Sequence, residues 1–206
     1  MGLKEPFNSI SHMVGGGLSI AGTLLLLWLA DAPREYVAAS AYGFGLVALY
    51  AMSSVYHGIS GEQGEGGWLE RLDHVAIYLL IAGTYAPICL LVLPSPMGLW
   101  LLAAVGVVSA VGIALALTVP LGPDWLHPVG YIGLGWAAVF VAPALFGALS
   151  GAEQAWLIAG GVVYTGGAAF YVLDRPWGVL HTHHLWHLCV VGASVAHFVM
   201  VVLFLT

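Results

Sequence analysis

Apolar residues in this chain run on for about 20 positions at a time, the length an α-helix needs to cross the core of a bilayer. Seven such runs stand out, at 7–30, 36–57, 74–93, 98–118, 129–149, 155–173 and 185–205. Polar or helix-breaking clusters separate them: Ala32-Pro33-Arg34, the glycine-rich Gly58 to Gly67, Pro94-Ser95-Pro96, Gly122-Pro123-Asp124, Ser150-Gly151 and Asp174-Arg175-Pro176. A membrane barrel would instead show alternating segments of about ten residues. Continuous runs call for helices, which satisfy their own backbone polar groups where no water can. The pattern therefore predicts an all-α integral membrane protein, a bundle of seven transmembrane helices forming a single domain over residues 1–206, with no soluble domain left over.

Composition agrees and removes other classes. The 206 residues are 61% hydrophobic and 7% charged, too apolar for a soluble domain that must cover its core with polar groups. Four Lys+Arg against ten Asp+Glu leave a net charge of -6 and no basic surface, so nucleic acid is not an expected partner. Cys89 and Cys189 sit inside apolar runs without CxxC spacing and read as small packing residues. The 28 glycines, clustered at Gly15-Gly16-Gly17, Gly160-Gly161 and Gly166-Gly167, suit close approach of helices in lipid and lack the strand and lysine of a nucleotide loop. Trp28, Trp68, Trp100, Trp125, Trp156 and Trp177 lie near the ends of runs, where indoles anchor at the headgroup level.

The first run is too long for a signal peptide, although Ala30-Asp31-Ala32 has the small-x-small form of a cleavage site. Lys4 is paired with Glu5, and Pro33 would follow the cut. With a cytoplasmic N-terminus, Lys4, Arg71 and Arg175 fall inside and Arg34 outside, the orientation that the positive-inside rule prefers. Low lysine with abundant alanine, glycine and valine suggests a bacterial source and hence a bacterial cytoplasmic membrane.

Histidine is costly at the edge of lipid, so a cluster there calls for a metal, a proton path or a substrate site. His183 and His187, at the mouth of the last run, are four residues apart, roughly 6 Å along a helix and about 40° around it, so both rings can face one ion. His184 with His187 would share a face as well. A catalytic zinc centre has three protein ligands and an open position, and His57 at the end of the second run is the best third ligand. Counting crossings places His57, Asp73, His183 and His187 on one side of the membrane, with Ser53 one turn deeper than His57. Asp73 reads either as a helix N-terminal carboxylate or as a base beside the metal. Ser53 can bond a water or substrate oxygen, or the carbonyl four residues back. His12 emerges on the same side and could line the site, though it reads first as an interfacial histidine bonded to water; His74 is turned about 100° from Asp73, and His127 reads as a solvated loop residue. His197, about 15 Å deeper than His187, is too far for the same ion and should pair within the bundle.

These residues resemble the hemolysin III family, within the progestin and adipoQ receptor superfamily that includes the adiponectin receptors. The resemblance spans essentially the whole chain. It rests on Asn8-Ser9-Ile10-Ser11-His12, on Ser53-Ser54-Val55-Tyr56-His57, and on Arg71-Leu72-Asp73-His74 running to Gly83-Thr84-Tyr85-Ala86-Pro87. It ends with His183-His184-Leu185-Trp186-His187 and His197-Phe198. What it implies is a zinc ion (Zn2+) held by His57, His183 and His187, with Asp73 contacting the zinc water. It also implies lipid amide hydrolysis like that of the ceramidases of the wider superfamily, and it selects His183 over His184.

The leading expectation is thus a zinc-dependent membrane hydrolase acting on a lipid amide or ester, with Asp73 and Ser53 as catalytic residues and a role in membrane lipid homeostasis. A non-catalytic lipid sensor or receptor with structural zinc is the alternative. A pore-forming cytolysin fits less well, because the apolar helices offer no soluble state and no amphipathic stripe for a wide channel. Membrane lipid is the expected substrate or ligand, and a homo-oligomer is compatible with this picture.

Overall fold

A computed structural model of the chain describes residues 3–59, 67–120, 126–173, 175–177 and 180–206, without the side chain of residue 180. Most of the glycine-rich stretch at 58–67, the Gly122-Pro123-Asp124 breaker, Trp125 and Asp174 lie outside them.

The described helices are α1 (Pro6–Leu29), α2 (Pro33–Gly58), α3 (Trp68–Pro87), α4 (Met97–Thr118), α5 (Leu126–Gly135), α6 (Ala142–Ala148), α7 (Gly151–Leu173) and α8 (Thr182–Leu205). A π turn, Ile88–Val92, extends α3, and a 3-10 segment, Trp136–Val141, joins α5 to α6. Together they make seven spans long and apolar enough to cross a membrane, and the chain is a multi-pass integral membrane protein.

Local chemistry sets the ends. Pro6 and Pro33 stand in the first turns of α1 and α2, where a missing N–H costs nothing. Glu35 reaches back to the N–H groups of Asp31 and Ala32 at 2.7 and 3.2 Å, capping α2. Arg71 donates to the carbonyls of Ala116 and Val119 at 2.8 and 2.7 Å, satisfying the C-terminal end of α4. Two residue pairs, Pro176–Trp177 (β1) and Leu180–His181 (β2), form an antiparallel ladder that turns the chain into α8.

Most ends fall within a few residues of the expected runs, and three features depart further. The third helix starts at Trp68, six residues before the apolar run at 74, because the charged turn through Glu70 and Arg71 is helical although a hydropathy count does not register it. The fifth run is not one α-helix: Pro143 has no N–H for the ladder, and the backbone tightens to 3-10 geometry just before it. A π turn follows Pro87, with Leu93 N–H reaching Ile88 O at 3.0 Å.

The second and third spans form the centre. About half of each is buried (56% and 50%), against 11% of the fifth span. Glycines let them touch: a Cβ on Gly83 would stand 2.6 Å from Ala41 O, and one on Gly45 would stand 2.8 Å from Leu79 O. Tyr42 and Tyr50 of α2 donate to Ser194 O and Val190 O of α8 at 3.3 and 3.4 Å, which ties the last span to this pair. The ends of α2 and α8 that carry histidines are thereby held side by side.

Candidate metal centre

His57, in the last turn of α2, and His183 and His187, in the first turns of α8, converge. Each offers a ring nitrogen, and these atoms all lie within 4.8 Å of one another, a spacing that can hold one metal ion. The ring centroids are 4.6 Å apart for His57 and His187, 5.0 Å for His183 and His187, and 5.4 Å for His57 and His183. The Nε2 of His187 is buried with no hydrogen-bond partner. An orphaned imidazole nitrogen is expensive in a bilayer, and a cation among three such rings would relieve the cost. The donor set, all imidazole with a carboxylate close by, suits zinc chemistry.

His184 takes another task. Its Nδ1 accepts from the N–H of His181 at 3.2 Å, its ring lies against Phe7 at 4.8 Å, and His181 Nδ1 in turn accepts from His183 N–H at 3.4 Å. Both residues satisfy the open N–H groups at the start of α8.

Asp73 does not open α3. It lies in the second turn, half-buried, with Oδ1 out of reach of solvent and without a partner. The Ser53 hydroxyl is a polar neighbour of the carboxylate, and the imidazole of His57 acts on its charge. Ser53, His57, Asp73, His183 and His187 all border one cavity of about 300 Å³. The structure thus brings all five expected site residues to one place.

Sequence reasoning missed one neighbour and ranked the other's place in the site second. Glu5, read only as the partner of Lys4, accepts a hydrogen bond from His57 Nδ1 at 2.7 Å while keeping Lys4 at 3.8 Å. The hydrogen bond from His57 holds its carboxyl at about 2, below the usual glutamate range, against the opposing effect of partial burial. His12, expected at the interface, is 2% exposed, and its Nε2 stands 2.8 Å from His187 Nδ1. The available signal was a polar stripe at Glu5, Asn8, Ser9 and His12, one face of an otherwise apolar helix. It is fastened to α2 by Glu5 N–H to His57 O at 3.0 Å and by reciprocal bonds between Ser9 and Ser54 at 3.0 and 3.1 Å.

The remaining histidines lie apart from the trio. His74 donates from Nδ1 to Glu70 O at 3.0 Å. His127, expected to be a solvated loop residue, belongs to α5, is half-buried and meets His74 edge-on at 4.6 Å. His197 donates from Nε2 to Leu157 O at 3.3 Å. Its ring occupies the space a side chain on Gly160 would need, which is why that position is glycine.

From the histidine end the cavity runs between the third, fifth, sixth and seventh spans as far as His197, along walls such as Ile77, Ile81, Leu145 and Val190. Trp136, Val139, Ile158 and Val162 border it too, and each is also half or more exposed on the outer face of the bundle. A cavity with such walls can hold a hydrocarbon chain beside the histidines.

Comparison with known proteins agrees with this architecture. Hemolysin-3 of Bacillus cereus is 33% identical over 204 residues, covering 98% of this chain and 91% of that protein. The Hemolysin-3 homolog of Bacillus subtilis is 32% identical over 205 residues, 98% and 94% of the two chains. More distantly, the adiponectin receptor protein of Drosophila melanogaster is 25% identical over 234 residues, 94% of this chain and 49% of that one. The family model described as haemolysin-III related matches residues 2–198, which takes in every helix that bears on the histidine site, and the chain belongs to that family.

Proposed function

We propose that this protein is a zinc-dependent hydrolase of a lipid amide or ester bond. One observation carries the reading: three histidine nitrogens within 4.8 Å of one another and a buried carboxylate oxygen border the same cavity, whose walls are largely apolar. His57, His183 and His187 would hold the ion. Zinc in such a site supplies Lewis-acid polarisation of a carbonyl and water activated at neutral pH.

The chain's own residues supply the rest. The apolar walls seat the acyl chain and exclude bulk water from the linkage. Asp73 accepts at its carboxylate the proton of the attacking water and returns it to the leaving amine or alcohol, so the products are a fatty acid and the freed amine or alcohol. Ser53 keeps the carboxylate turned toward the cavity. Lys4, Arg71 and Arg175 favour a cytoplasmic N-terminus, which puts the site in the cytoplasmic leaflet. Apolar walls along the cavity suit a hydrocarbon chain better than the water-filled pore of a cytolysin.

The test is turnover of N-acyl and ester lipids by zinc-loaded protein in nanodiscs, beside Asp73→Asn. Removing a general base costs about 10²–10⁴-fold in rate, so the variant should retain its metal and lose turnover by that factor. An Asp73→Asn variant as fast as wild type removes Asp73 from the chemistry. Zinc-loaded protein that cleaves no lipid of either class contradicts the hydrolase.

A further inference from the structure

Helix α1 gives no nitrogen to the histidine trio, yet it touches two of the three rings. Glu5 stands just before α1 as its N-cap and His12 lies in its second turn, and both reach the same cluster of rings. Glu5 Oε2 accepts from His57 Nδ1 at 2.7 Å and is steadied by Asn8 Nδ2 at 2.8 Å. His12 Nε2 meets His187 Nδ1 at 2.8 Å.

An imidazole that gives one nitrogen to a cation carries its proton on the other, and that N–H needs an acceptor. For His57 the acceptor is a carboxylate, so Nδ1 is the protonated atom and Nε2 holds the free lone pair. For His187 the unpartnered buried atom is Nε2, so the Nδ1 proton points at His12 Nε2. His12 must then carry its own proton on Nδ1, which is buried without a partner. The cost of that orphan is carried on α1 and the metal-facing nitrogens stay free, the division expected when the rings are arranged for an ion.

We propose that Glu5 and His12 are positioning residues for the metal, and that α1 is an outer layer which fixes the tautomer and tilt of His57 and His187 and thereby sets metal affinity. This rests on reading the trio as a metal site. The two contacts differ in kind. The Glu5 carboxylate orients His57 and also raises its basicity as a ligand, whereas His12 is a neutral acceptor that orients alone. Loss of such partners lowers metal affinity by about 10–100-fold.

The test uses the full chain in detergent, stripped of metal and titrated with zinc against a chromophoric chelator, with the melting temperature of the metal-free protein measured alongside. Glu5→Ala and His12→Leu should each bind zinc about 10–100-fold more weakly than wild type. Glu5→Gln and His12→Gln, which keep an acceptor, should fall between, and all four should melt in the metal-free form where wild type does. Wild-type zinc affinity in Glu5→Ala and His12→Leu overturns the proposal and leaves the metal site standing. So does a loss that simply follows a lowered metal-free melting temperature. Should the first pair fail to fold, a wild-type affinity in the glutamine pair overturns it equally. A wild type that takes up no zinc overturns both this proposal and the metal reading beneath it.

Discussion

Replacing Tyr85 by phenylalanine removes one oxygen atom to which three backbone groups of the fifth span are bonded. The hydroxyl lies within 2.8 Å of Gly135 O and 3.1 Å of Leu134 O, to which it donates, and it accepts from Ala138 N–H at 2.9 Å. It thereby fills the gap where the fifth span passes from α-helix to 3-10 geometry. Tyr85→Phe leaves the ring and its packing in place but takes away one donated and one accepted hydrogen bond. Each hydrogen bond is worth about 0.5–1.5 kcal/mol, and lipid offers no water to take over, so the expected loss of the two is about 1–3 kcal/mol. Tyr131→Phe is the control: its hydroxyl reaches only His74 O, at 3.4 Å, and the loss should stay below about 1 kcal/mol. Equilibrium unfolding in mixed micelles, followed by tryptophan fluorescence, reads both, and hydrogen exchange at 136–141 should quicken in Tyr85→Phe alone. Equal stability of Tyr85→Phe and wild type would refute this account of the fifth span.

Gly83→Ala would put a Cβ 2.6 Å from Ala41 O where ordinary contact begins near 3.4 Å, so α2 and α3 must part. The same unfolding assay should show a loss of about 1–3 kcal/mol, and no loss would mean the central pair has slack. Arg71→Met gives up two charge-assisted bonds to the end of α4 and should cost about 1.5–3 kcal/mol, of which Arg71→Lys recovers only part because an ammonium lacks the guanidinium fork. Equal stability of all three proteins would show that these bonds contribute nothing net.

The spans were legible in the sequence because a bilayer sets their length, and seven continuous apolar runs satisfy that requirement without any tertiary information. Their irregularities were not. The start of α3 at Trp68 is charged, and the break in the fifth span depends on how Pro143 and Tyr85 share the backbone bonds, which is a property of contacts between spans. The histidine trio was legible from the four-residue spacing of His183 and His187 and from the side of the membrane on which His57 and Asp73 emerge. Spacing left His183 and His184 equivalent, and the fold separates them by turning His184 to the cap of α8. Glu5 went unassigned, and His12 was ranked first as interfacial, because no local pattern tells an interfacial polar group from one aimed at an imidazole on another helix, for Glu5 52 residues on.

Metal content tests the central claim most directly. Elemental analysis of detergent-purified wild type, beside His183→Ala and His187→Ala prepared identically, should give close to one zinc per chain in wild type and essentially none in either variant. Wild type free of metal even after zinc is offered, or variants that keep it in full, would contradict a metal centre at His57, His183 and His187.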